Sequence, residues 1–106
     1  MRHEGRFIVG GVMRSGSQVT GLLVGQRVRG RLLYRGTVEW GLFRQVVAEL
    51  VVTVEGLVRS TSPFADLARA PDVIWLAPRL LAEVSYSELM EDRLRDPVLR
   101  ELRIGR

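Results

Sequence analysis

Sixteen arginines and no lysine decide which chemistry this chain of 106 residues can perform. Four of the arginines, Arg27, Arg29, Arg31 and Arg35, share odd positions in an alternating stretch. That spacing can set cations along a strand pair, where they could neutralise phosphates. The charge is unevenly spread. Residues 1–36 hold seven arginines and one acid, a balance of +6, whereas residues 37–106 hold nine arginines and eleven acids, a balance of −2. A polyanion partner is one reading of this asymmetry, and a solvated arginine-rich face is the other. Without lysine the chain can form no Schiff base, no P-loop phosphate contact and no lysyl-nucleotide intermediate. Zero cysteines remove thiol catalysis, disulfides and cysteine metal sites. The only histidine, His3, falls where a terminus is expected to fray, which speaks against a Ser-His-Asp centre or a histidine-bound metal.

The remaining chemistry-bearing side chains are few. Trp75 and Tyr86 could stack bases, although both sit among aliphatic residues that favour core packing. Trp40 reads as a cap on the core, and Phe64 after Pro63 as a loop anchor. Glu83 and Glu88 lie on a solvent face by parity, which gives no support for acid-base catalysis. Sequence-specific base reading has no helix-turn-helix or zinc-finger spacing behind it.

These residues must be held by a chain that alternates, turns helical once, and alternates again. Arg6 to Met13 reads as a first strand and Arg14 to Ser17 as a turn. From Val19 to Glu39, Leu22, Val24, Val28, Leu32 and Tyr34 share even parity. A hairpin reversing near Arg29-Gly30 would turn this set inward and the arginines outward, provided the connection keeps parity. Leu42 to Val58 follows the i, i+3, i+4, i+7 pattern and predicts a helix with one buried stripe, against the strand preference of its many valines. A loop follows to Pro71. Val73 to Leu76 starts a strand, Leu80 to Leu89 forms a longer one, and Glu91-Asp92 make a polar turn. The tail with Pro97 is extended or an edge at best. Three strands, a helix and further strands give the chain order of a single OB-fold, a mainly β, five-stranded Greek-key barrel with one helix between strands 3 and 4. The longest apolar run, Val73 to Ala77, is far short of the roughly 18–20 residues of a membrane span, and the start shows no apolar leader. A soluble cytoplasmic protein is expected.

Three segments go beyond pattern. Thr61-Ser62-Pro63-Phe64, Trp75-Leu76-Ala77-Pro78-Arg79-Leu80-Leu81-Ala82-Glu83-Val84-Ser85-Tyr86-Ser87-Glu88, and Arg93-Leu94-Arg95-Asp96-Pro97 with Leu102-Arg103 resemble the C-terminal OB domain of ATP-dependent DNA ligases. The resemblance is closest to the ligase module of bacterial end-joining enzymes, which repair double-strand breaks. Upstream, Phe7-Ile8-Val9-Gly10-Gly11, Leu22-Leu23-Val24-Gly25 and Leu33-Tyr34-Arg35-Gly36-Thr37-Val38 fit the same domain. The resemblance implies a DNA-binding domain that contacts the phosphate backbone of nicked duplex and assists nick sealing with a separate nucleotidyltransferase (adenylation) domain. That domain would bring the AMP-accepting lysine, ATP and magnesium. The chain alone is expected to bind no cofactor and to be no complete ligase.

Arg27, Arg29, Arg31, Arg35 and Arg95 are the candidate DNA contacts. Arg103 and Arg106 stand where the family's last motif carries the arginine and lysine that orient the ATP pyrophosphate. Gly105 replaces the acid of that motif, Leu99 its aromatic and Glu101 a glycine, and Asp92 replaces a glycine in the turn before Arg93. These departures bear on the nucleotide role more than on the DNA role. A stand-alone OB module that binds nucleic acid without ligation, and a domain whose arginines meet an acidic protein, remain as alternatives.

Overall fold

The computed structural model describes residues 1–104. β1 (His3–Ser15), β2 (Gln18–Val28) and β3 (Arg31–Val38) form an antiparallel meander. α1 (Arg44–Val54) follows, then a single 3₁₀ turn (Glu55–Leu57) and the two-residue β4 (Val58–Arg59). β5 (Val73–Tyr86), the small hairpin of β6 (Glu88–Met90) and β7 (Arg93–Arg95), and β8 (Val98–Ile104) complete the chain. β1 lies between β2 and β5, and β5 also pairs β8. The five long strands, with a helix between the third and the fourth, are those of the expected OB-fold.

The barrel is not closed by a continuous ladder. Its ends meet at one parallel bridge, Trp40 with Val98, through a Leu99 N–H to Trp40 carbonyl bond of 2.8 Å. Gly41 makes that approach possible. Its φ is +86°, and a Cβ there would run into the Leu99 carbonyl. Gly41→Ala is therefore expected to cost about 1–3 kcal/mol, a fall of roughly 5–20 °C in Tm. An unchanged thermal midpoint would show that the seam tolerates a side chain.

Two cores sit on opposite sides of the sheet. Inside the barrel Phe7, Val9, Val12, Leu22, Val24, Val38, Leu50, Leu76, Leu80, Ala82, Val84, Leu94 and Leu99 are buried together. Val9 and Val12 share this interior although they are three apart, because a bulge at Gly10 shifts the register between Val9 and Gly11. That bulge is why the alternation of β1 looks weak in the sequence. On the outer face Leu23, Leu32 and Phe64 form a second cluster with Ile8, Tyr34, Leu67 and Trp75 half-buried around it. The segment between β4 and β5 supplies this cover, so it is more than a connecting loop.

Several elements differ from the sequence-based expectation. His3 does not fray. It pairs Tyr86 as the first residue of β1, and Arg2 donates from Nε to Ser85 Oγ at 2.8 Å. The stretch around Pro78 bends one continuous β5 and does not divide it, as the β1 register jumps from Gly11–Trp75 to Val9–Leu80 across residues 76–79. A bulge suits a residue with no N–H to donate. The helix stops at Val54, four residues short, and only Leu50 on it is fully buried, with Val51 and Val52 exposed. Gly56, a poor helix residue, sits in the 3₁₀ turn that follows and precedes the extended β4. Trp40 caps nothing, being 71 % exposed. The tail is more ordered than expected, with β8 pairing β5 from Ser85–Val98 to Leu80–Ile104. Among the described residues no helix is long and apolar enough to cross a membrane.

Candidate nucleic-acid interface

The β2–β3 hairpin reverses through two residues, since Val28 pairs Arg31. Arg29 (φ +53°) and Gly30 (φ +80°) both occupy the left-handed region, the primed turn whose twist matches that of the flanking strands. An arginine pays for that conformation where asparagine or glycine is usual.

A two-residue turn does not keep parity. Arg27 pairs Leu32 and shares its face, whereas Arg31 pairs Val28 and faces the other way. The expected single basic face is therefore replaced by a knob. Arg27 and Arg31 emerge on opposite sides of the tip, Arg29 extends from its end, and all three are exposed. None of the ion pairs among the described residues involves them.

Arg35 is not brought into this cluster. It is the extra residue of a bulge, between the pairs Val24–Gly36 and Gly25–Tyr34. Its side chain is only 11 % exposed, its Nε donates to Gln26 Oε1 at 3.0 Å, and its Nη1 lies 4.0 Å from Asp92 Oδ1. It braces β3 against the β6–β7 turn. Beside it, Arg93 lies 4.7 Å over the Tyr34 ring and donates to the Tyr34 carbonyl at 3.1 Å. Sequence reasoning missed this brace, because nothing local to Arg93 announces a contact 59 residues away. Arg95 stands on the separate β6–β7 ladder, exposed and 3.8 Å from Glu88 Oε1.

Arg103, on β8, is held by carboxylates. Its Nη2 is 3.4 Å from Glu83 Oε2 and 3.3 Å from Glu101 Oε2, and Arg6 reaches the other Glu83 oxygen at 3.4 Å. The register explains the cluster: Glu83 on β5 is opposite both Arg6 on β1 and Glu101 on β8. The Glu83 carboxyl is held below its usual value of 4.5. A hydrogen bond with Glu101 contributes most, followed by contact with Arg6 and the charge of Arg103, against the opposing effect of burial. A lowered folded-state value stabilises the fold above the ordinary carboxylate range, and this is lost as pH falls through the lowered value. The melting temperature of the wild type is thus expected to exceed that of Glu83→Gln at neutral pH, with the gap closing in acid. A gap independent of pH would remove the ion pairs as its cause.

A triphosphate reaching Arg103 would have to displace two carboxylates from one guanidinium, so the side chain fits a nucleotide only after that exchange. Among the described residues no three acidic or histidine side chains converge as a metal site. Arg106, the other nucleotide candidate, lies outside the described residues.

The family described as "ATP dependent DNA ligase C terminal region" matches residues 15–105. Two solved structures resemble the chain over nearly its full length. One is the ligase domain of LigD from M. tuberculosis, with 33 % identity and a TM-score of 0.87 over 96 % of this chain. The other is a mycobacterial DNA ligase D complexed with ATP and MES, with 31 % identity and a TM-score of 0.85 over 98 % of this chain. The chain spans 35 % of the length of each. No curated protein sequence matches it. The match across residues 15–105, on strands in the order and pairing of an OB-fold, makes this chain a member of the ATP-dependent DNA ligase C-terminal region family.

Proposed function

We propose that this domain grips the phosphate backbone of nicked duplex DNA and assists nick sealing together with a lysine-bearing adenylation domain, in the cytoplasm. The hairpin tip carries the proposal: Arg27, Arg29 and Arg31 are exposed, have no carboxylate partner among the described residues, and project from a two-residue turn whose residues both have positive φ. Guanidinium groups spread around a knob can meet phosphates on both sides of a groove, and their forked donors suit phosphate oxygens. Arg35 holds the strand that presents them, and Arg95 adds a contact from the β6–β7 hairpin. ATP and magnesium would be bound by the partner adenylation domain, where they would supply the activated AMP. Arg103 would then exchange Glu83 and Glu101 for a nucleotide phosphate, with Arg106 three residues on in the sequence.

Reconstitution tests this. Adding the chain to an adenylation domain is expected to raise nick sealing, and Arg103→Ala to lower adenylation of that domain more than it lowers DNA binding. Sealing that does not rise on addition would overturn the ligation role. Equal losses in the variant would overturn the nucleotide role alone.

A further inference from the structure

The recess beneath the segment between β4 and β5 is unlike the hairpin tip. It encloses about 490 Å³ and is lined by Ser60, Thr61, Ser62, Arg69 and the rings of Phe64 and Trp75, with no acidic side chain. Trp75 is its aromatic wall. The indole lies close to Gly11, where a Cβ would come 3.3 Å from its six-membered ring, and Phe64 meets it edge-on at 6.2 Å. These contacts set the ring in place while leaving it partly accessible. Arg59 pairs Trp75 across the β4–β5 ladder, on the same face of the sheet. Arg59 and Arg69 are both exposed, and neither has an ion pair among the described residues.

The rim is fixed as well. The Phe64 N–H donates to Ser62 Oγ at 3.0 Å, and the Ala65 N–H to the Leu32 carbonyl at 2.8 Å. A fixed aromatic surface, two unpaired guanidiniums and two exposed hydroxyls, with no carboxylate to repel an anion, match one ligand chemistry. A planar base packs on the ring and its phosphate meets the cations.

We propose that this recess is a second nucleic-acid subsite, which takes one unpaired, phosphorylated nucleotide, with its base against Trp75 and its phosphate at Arg59 and Arg69. It is separate from the hairpin tip: Leu23 pairs Gly11, and Gly11 pairs Trp75. The six residue steps along the hairpin from Leu23 to Arg29 place the two roughly 20 Å apart at the rise of a strand. The proposal stands whether or not the tip meets DNA.

Trp40→Phe leaves Trp75 as the only indole, so its fluorescence reports this recess. Adenosine 5′-monophosphate is expected to quench it with an affinity of order 1 mM, and a short 5′-phosphorylated single strand to do so more tightly. Adenosine and inorganic phosphate should each quench far less. Arg69→Gln, checked for an unchanged circular dichroism spectrum, should weaken the mononucleotide at least about fivefold. Arg44→Gln, at an exposed residue with no ion pair among the described residues, should leave it unaltered. Quenching by inorganic phosphate as strong as by the mononucleotide, an equal effect of an acidic peptide, no effect of Arg69→Gln, or no quenching at all would each overturn the proposal. A preference for the free mononucleotide over the strand would overturn its assignment to nucleic acid.

Discussion

Replacing Arg27, Arg29 and Arg31 together by glutamine is expected to flatten the salt dependence of DNA binding. Each phosphate neutralised by a cation contributes about 0.9 to the slope of log affinity against log salt. Three such contacts carry a slope of about 2.7, so a fourfold rise in salt weakens binding through them by roughly 40-fold. The triple variant should lose that share of the slope and bind nicked duplex correspondingly less at low salt. Its fold should be unchanged, because the three side chains are exposed and make no ion pair among the described residues. Arg35→Gln should behave differently. It breaks a brace that is 11 % exposed, and so should lower the melting temperature while leaving the slope nearly intact. A titration of anisotropy against salt on all three proteins separates the outcomes. A triple variant with the wild-type slope would remove the hairpin tip from the interface.

Phe64→Ala should cost the fold a large share of its stability. The ring is 4 % exposed, meets Tyr34 and Trp75 edge-on at 5.6 and 6.2 Å, and fills the space over Gly10, where a Cβ would come within 2.5 Å of it. Removing such a ring from a packed site costs about 3–5 kcal/mol, a large share of the roughly 5–15 kcal/mol that holds a domain of this size. Tm should fall by about 12–30 °C. The loss would spread from there. Phe64 anchors the segment whose Ala65 bonds the Leu32 carbonyl and whose Asp66 accepts the Tyr34 N–H, so β3 would lose its outer support. A fall of only a few degrees would mean that Leu67 and Trp75 can close the gap.

Much of this was legible in the residues, and the rest was hidden for identifiable reasons. The order of strands and helix follows from hydrophobic period, and the anchoring role of Phe64 from its place after Pro63. The single basic face failed on one detail of the turn, because a two-residue connection exchanges parity between β2 and β3 and sends Arg27 and Arg31 to opposite sides. Bulges at Gly10 and Arg35 shift register again, and the weak alternation around Gly10 does not say which way. Arg35 and Arg103 look as available as their neighbours in the sequence. Their partners, Asp92 for one and Glu83 and Glu101 for the other, are chosen by which strands lie side by side. The identity of a cation is local, whereas its freedom is tertiary.

The seam at Trp40 and Val98 has a further consequence for how the domain moves. β8 is fastened to β5 along a full ladder, but it is tied to the segment just after β3 by one backbone hydrogen bond, at Trp40, with Leu99 and Leu102 packed on the core. Local opening follows the places where the fewest bonds must break. The barrel can therefore breathe along this line while the β1–β2–β3 meander and its outer cover stay folded. The strand that carries Arg103 can then shift relative to the arginine knob in a small excursion of the native state, so that the two arginine sites proposed above are joined by a gap that can change width.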